Sequence, residues 1–145
     1  MLRYLMLGLI VSGPLLLGCG PRSTNKPTYP VVGRVLVDGQ PADYLAVNVE
    51  PTDGKLDPEH PTVSSAFTDA EGRFSLSTYV QGDGVPEGDY VLTFMWGQLN
   101  LISMNYGGPD KLKGRYQSPK DSKVRFTVSK SKQTLDLGDI ELSTQ

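Results

Sequence analysis

From Val31 onward the apolar residues tend to fall at every second position in short runs separated by Gly, Pro, Asn and Asp. That is the period of β-strands, not of helices. The first run, 31–37, ends at Asp38-Gly39, a dipeptide suited to a tight turn. The second, 44–50, places Leu45, Val47 and Val49 on one face and is closed by Pro51. A loop rich in Pro, Asp and Gly follows at 53–61. Strands are then expected at 63–68 and 73–77, joined by the tight turn Asp69-Ala70-Glu71-Gly72, with Phe74 and Leu76 facing inward. In 90–96, Tyr90, Leu92, Phe94 and Trp96 share one face while Val91, Thr93 and Met95 occupy the other. Such a strand should be central and covered on both sides. In 123–129, Val124, Phe126 and Val128 point inward. In the last strand, 134–142, the inward phase runs Leu135, Leu137 and then slips to Ile140, Leu142, which predicts a β-bulge at Gly138-Asp139. Seven short strands in about 115 residues predict an all-β fold, a single antiparallel β-sandwich.

Two stretches break the alternation. Residues 97–122 are long for a loop in a compact domain. Within them, 99–104 are expected to form a short strand or to cover a sheet edge, and 110–116 to form one helical turn after Pro109. The other is the N-terminus, where Arg3 precedes the apolar stretch 4–17. That stretch is shorter than the roughly 20 residues a spanning helix needs. Its length suits the apolar region of an export signal, and Pro14 breaks any helix before the end.

The segment Leu16-Leu17-Gly18-Cys19 resembles the lipobox of bacterial lipoproteins. The resemblance implies cleavage between Gly18 and Cys19, with diacylglyceryl and acyl lipid carried covalently on Cys19. Only a thiol can give the thioether, and Cys19 is the single cysteine in the chain, so no disulfide competes for it. Gly20, in place of Asp, leans towards the outer membrane over the inner, facing the periplasm. Residues 1–18 are thus read as a removed signal, 19–29 as the lipidated Cys and a flexible tether, and 30–145 as one sandwich domain.

Composition changes this picture little. The 145 residues carry a formal charge of −2, which becomes −3 without Arg3. No overall basic excess points to nucleic acid. With one cysteine, the domain must fold without disulfides.

Three motifs resemble carboxypeptidase regulatory-like domains, which have a transthyretin-like sandwich. They are Val31-x-Gly33-x-Val35-x-x-Asp38-Gly39-x-Pro41, Thr68-Asp69-Ala70-Glu71-Gly72-Arg73-Phe74-x-Leu76 and Gly84-x-Pro86-x-Gly88-x-Tyr90. The segment Lys113-Gly114-Arg115-Tyr116-x-x-Pro119-x-x-Ser122 is similar to small lipoproteins of this type from planctomycete-like bacteria. The resemblance spans roughly residues 30–142 and implies a fold and an envelope location, without an assigned activity.

Candidate chemistry is sparse. His60, the single histidine, stands in a loop without an evident nucleophile, so a hydrolase is the weakest reading. Zinc lacks ligands, and no cofactor is expected beyond the lipid. The acids Asp53, Asp57, Glu59, Asp69, Glu71, Asp83, Glu87 and Asp89 sit in turns, where they serve turn formation more simply than a calcium site. Trp96, Asn105, Tyr106, Arg115 and Tyr116 form the expected binding surface, suited to an envelope protein or, as an alternative, a glycan. Lys111, Lys113, Arg115, Lys120 and Lys123 make a basic cluster that would meet solvent, anionic lipid or an acidic partner. The sequence therefore reads as a non-enzymatic, membrane-anchored envelope module.

Overall fold

The computed structural model describes residues 25–131 and 133–145. The expected signal segment, with Gly18 and Cys19, lies outside the described residues. Twelve strands follow in chain order: β1 (Thr28–Tyr29), β2 (Val31–Val37), β3 (Gln40–Pro41), β4 (Ala46–Pro51), β5 (Ser64–Phe67), β6 (Arg73–Ser75), β7 (Val85–Pro86), β8 (Gly88–Met95), β9 (Gln98–Asn100), β10 (Asn105–Gly107), β11 (Arg125–Val128) and β12 (Leu135–Leu142). The seven expected strands are β2, β4, β5, β6, β8, β11 and β12. The other five are pairings of two or three residues that alternation is too short to mark.

Two main sheets face each other. One has the order β11-β8-β4-β5; the other joins β12, β2 and β3, with β6 also paired to β2. Their inward residues meet in one cluster that includes Val31 and Val35 of β2, Val47 and Val49 of β4, Leu92 and Phe94 of β8, and Ile140 and Leu142 of β12. On the other face of β8, Val91 and Thr93 are buried as well, so this strand is central and covered on both sides. The predicted bulge is present as a register shift between Asp136 and Asp139.

One buried hydroxyl ties the β4–β5 end together. Thr68 Oγ1 donates to the Ala42 carbonyl at 2.5 Å and accepts the Leu45 N–H at 2.8 Å. The following turn needs Gly72 at φ +76°, where a Cβ would overlap the Val35 carbonyl.

Three details differ from the sequence reading. First, β12 pairs with β2 in parallel, whereas the other ladders among the described residues are antiparallel. The chain reaches β12 from β11 in the opposite sheet, so no hairpin fixes its direction relative to β2. Second, the end of the expected tether is fixed to the domain. β1 pairs with β7, the Lys26 ammonium pairs with Asp57, and the Lys26 N–H donates to the Tyr79 hydroxyl at 3.1 Å. Third, 110–117 form successive turns, with Lys113 N–H to Asp110 O and Arg115 N–H to Leu112 O. Lys113 lies at φ +56°, which stops a helix from continuing.

Two outcomes are expected. Gly84 lies at φ +91°, and a Cβ there would overlap the Tyr29 carbonyl and stand 2.7 Å from Pro30 N. Gly84→Ala should therefore cost about 3–4 kcal/mol in a denaturant titration. Gly54→Ala, at φ +68° with nothing within 4 Å of the added carbon, should cost about 1 kcal/mol. Equal losses would mean that the β1–Gly84 contact is not what matters. The second outcome concerns pH. A hydrogen bond from the Lys26 ammonium, aided by the Glu59 and His60 N–H groups, lowers the Asp57 carboxyl from 3.8 to about 2. Its stabilisation is present above the unfolded value and is lost as pH falls from about 4 through about 2. Acid titrations of the wild type and of Lys26→Ala should diverge above that window and converge below it; parallel curves would remove the pair from the account.

Candidate functional site

The expected binding residues gather around the end of β8. There the chain leaves the sheet through Trp96 and Gly97, turns back through the β9–β10 hairpin, and returns along the edge of β8. The hairpin register pairs Asn105 with Asn100, Tyr106 with Leu99 and Gly107 with Gln98. The Tyr106 hydroxyl accepts the Gly97 N–H at 2.7 Å and donates to the Met95 carbonyl at 3.0 Å. Its ring meets Phe67 edge-on at 4.8 Å, and burial pushes its hydroxyl pKa up.

Trp96 is pinned at both ends. Its Nε1–H donates to the Asp43 carbonyl at 3.0 Å and its backbone N–H to Asp110 Oδ1 at 2.8 Å. The Lys111 ammonium sits 4.3 Å from the indole centroid, a cation–π contact. The Tyr116 hydroxyl accepts the Ser143 N–H at 3.0 Å, and its ring meets Phe94 edge-on at 6.4 Å. Asn105 and Arg115 are exposed. The structure thus places Trp96, Asn105 and Tyr106 at the hairpin base, and Arg115 and Tyr116 further along the β8 edge. The polar ends of all three rings are engaged inside the domain. A shallow depression of about 340 Å³ is lined by Gln98, Asn100, Asn105 and Tyr106; Trp96 and Tyr116 do not line it.

Asp110 organises this end and carries a role the alternation did not mark. Its carboxylate accepts the N–H groups of Trp96, Leu112 and Gly114 and the side-chain amide of Gln117. Burial pushes its pKa up, but these donors outweigh burial and hold it below the ordinary value. Its signal in the sequence is an acid directly after Pro109, where turn amides need a cap.

Residues 99–104, expected as a short strand or an edge cover, instead form the end of β9 and the exposed tip of the hairpin. Leu101, Ile102 and Met104 are 76%, 98% and 73% exposed. The Asn100 side chain accepts the Ile102 and Ser103 N–H groups and shapes the tip. Asparagines bracket this apolar run at 100 and 105 and were its available sign. The basic cluster is exposed throughout, at Lys111, Lys113, Arg115, Lys120 and Lys123.

Most of the remaining candidates have partners within the domain. His60 Nδ1 lies 2.6 Å from the Glu59 carbonyl, beside a cavity of about 300 Å³ that Asp57, Asp89 and Tyr90 also line. Asp53 caps Lys55, Asp69 caps Glu71 and Arg73, and Asp83 accepts the N–H groups of Thr78, Tyr79 and Val80. Asp89 accepts the Thr127 hydroxyl, and Glu71 pairs with Arg73. Among the described residues no three His, Cys, Asp or Glu side chains converge to hold a metal ion. A wider groove of about 790 Å³ runs past Val32, Phe67, Arg73 and Asp139. What this surface offers is non-covalent contact chemistry: an apolar tip, a cationic edge and amide-lined hollows.

No protein family model matches this chain, and no curated protein matches it either. Solved structures resemble it distantly. The major pilin subunit of Bacillus cereus is 15% identical with a TM-score of 0.46; the match covers 79% of this chain and 29% of the pilin. (S)-allantoin synthase is 16% identical with a TM-score of 0.47, covering 82% of this chain and 42% of the enzyme. A DUF3823 family protein from Parabacteroides merdae is 16% identical with a TM-score of 0.39, covering 82% and 46%. This chain therefore spans less than half the length of each of these three structures.

Proposed function

We propose that this chain is an exported, lipid-anchored and non-enzymatic lipoprotein of the cell envelope, whose β-sandwich acts as a binding or assembly module. The observation that carries the reading is Leu16-Leu17-Gly18-Cys19 at the end of a basic-then-apolar leader. A lone thiol at that position has a defined chemistry, thioether acylation, and no second cysteine competes for it. Several acyl chains, at about 0.8 kcal/mol per buried methylene, give a stable anchor where one chain would be marginal. Gly20 favours the outer membrane, with the domain facing the periplasm.

The domain's contribution is contact. Its exposed chemistry is an apolar hairpin tip and a cationic edge, while the rings of Trp96, Tyr106 and Tyr116 have their polar atoms bonded internally. This favours an envelope protein or a lipid surface over a glycan. The Lys26 ammonium, seven residues after Cys19, pairs with Asp57 of the domain. An extended segment of that length reaches about 25 Å, so whatever is bound lies close to the membrane that carries the lipid.

Mass spectrometry of the chain purified from membranes of an expressing two-membrane bacterium should find Cys19 at the N-terminus carrying diacylglycerol. Cys19→Ser should remain unlipidated with residues 1–18 attached. A free thiol at Cys19, or a mature end elsewhere, would overturn the reading.

A further inference from the structure

We infer that one edge of the sandwich, together with the β9–β10 tip, lies against an anionic phospholipid surface, so that the domain rests along the membrane. This rests on the lipid-anchored reading above. The first observation is charge segregation. The five-residue basic cluster extends through Arg125 and Lys130, so residues 111–130 hold seven cations against one acid, Asp121. The whole chain has 14 basic and 16 acidic residues, which leaves seven basic and fifteen acidic outside this segment. All seven cations are exposed.

The fold sets these cations along one line. Strand β11 is the outer strand of its sheet. The segment that leads to it follows the edge of β8 from end to end. Lys111 N–H bonds Trp96 O, Phe94 N–H bonds Tyr116 O, Leu92 N–H bonds Val124 O, and Val128 then stands opposite Gly88. Eight residues of β8 span about 26 Å. One end of this line is the base of the apolar hairpin. The other is where the chain enters the domain, since Lys130 shares a depression with Lys26, Pro27 and Tyr29.

The second observation is the tip. Leu101, Ile102 and Met104 stand out from a two-stranded ribbon and are left largely exposed by the described residues. A cationic edge ending in exposed apolar side chains fits a lipid interface, which presents anionic headgroups over hydrocarbon. Seven residues from Cys19 reach about as far as β8 is long, so the anchor permits the domain to lie down.

The test uses the full exported chain in vesicles of phosphatidylethanolamine with phosphatidylglycerol, and in vesicles of phosphatidylcholine alone. Ile102→Cys takes a fluorescent label at the tip, and Ser65→Cys takes it on the opposite edge strand, β5; an acylated Cys19 takes none. Lipid-borne nitroxide should quench the label at position 102 severalfold more than that at 65 in the anionic vesicles. The difference should shrink in high salt and in Lys113→Gln/Lys120→Gln/Lys123→Gln. Equal quenching at both positions in a chain that floats with the vesicles would overturn the inference and leave the anchor intact. A chain that does not float would overturn the anchor. The Cys19→Ser chain, which keeps residues 1–18 with and without the lysine changes, then tests the surface by charge neutralisation. Neutralising the three lysines should lower its partitioning onto anionic vesicles by about 100-fold, at about 1 kcal/mol per cation, and an unchanged partition would overturn the cationic edge.

Discussion

Strand β8 must satisfy two hydrogen-bonding edges and bury two faces at once. On one side β4 supplies a regular ladder from Ala46↔Met95 to Pro51↔Tyr90. On the other, β11 reaches only from Val128↔Gly88 to Arg125↔Val91. The rest of that edge is completed piecemeal by Val124, Tyr116 and Lys111. Backbone groups left unpaired beside buried side chains such as Leu92 and Phe94 would each cost about 1–3 kcal/mol. The irregular segment after the hairpin is thus an edge strand in function, and Asp110 fixes its course by binding Trp96 on β8's exit and Leu112 and Gly114 on the returning chain.

The two signs of charge do different jobs. The acids are largely consumed locally: Asp57, Asp69, Asp83 and Asp110 each accept several backbone N–H groups and so stabilise the loops that carry them. Most of the cations between 111 and 130 have no such local bonds and line the outer edge of a sheet. Charge there also discourages a second strand from pairing with β11. The same residues therefore discourage edge pairing and make this edge cationic.

The parts of the fold that depend on local chemistry were legible. The alternation of Leu45, Val47 and Val49, the two faces of 90–96, the turn at Asp69–Gly72 and the slip at Gly138-Asp139 follow from period and turn residues. The direction of β12 was not, because inward and outward positions read the same whichever way a neighbour runs. Nor were β1 and β7, whose two residues carry no period. Of the candidate site, residue types marked Trp96, Tyr106 and Tyr116 as an expected binding surface, but did not show that their polar atoms turn inward. That depends on Asp43, Met95 and Ser143, which are distant in sequence from at least one of the rings they meet.

The parallel pairing of β12 with β2 has a kinetic consequence. Leu135 stands beside Val31, about one hundred residues away along the chain, and β12 closes one flank of that sheet. Closing so large a loop is slow and brings little reward until the final strand is available. The N-terminal part therefore lacks a finished sheet while synthesis is still under way.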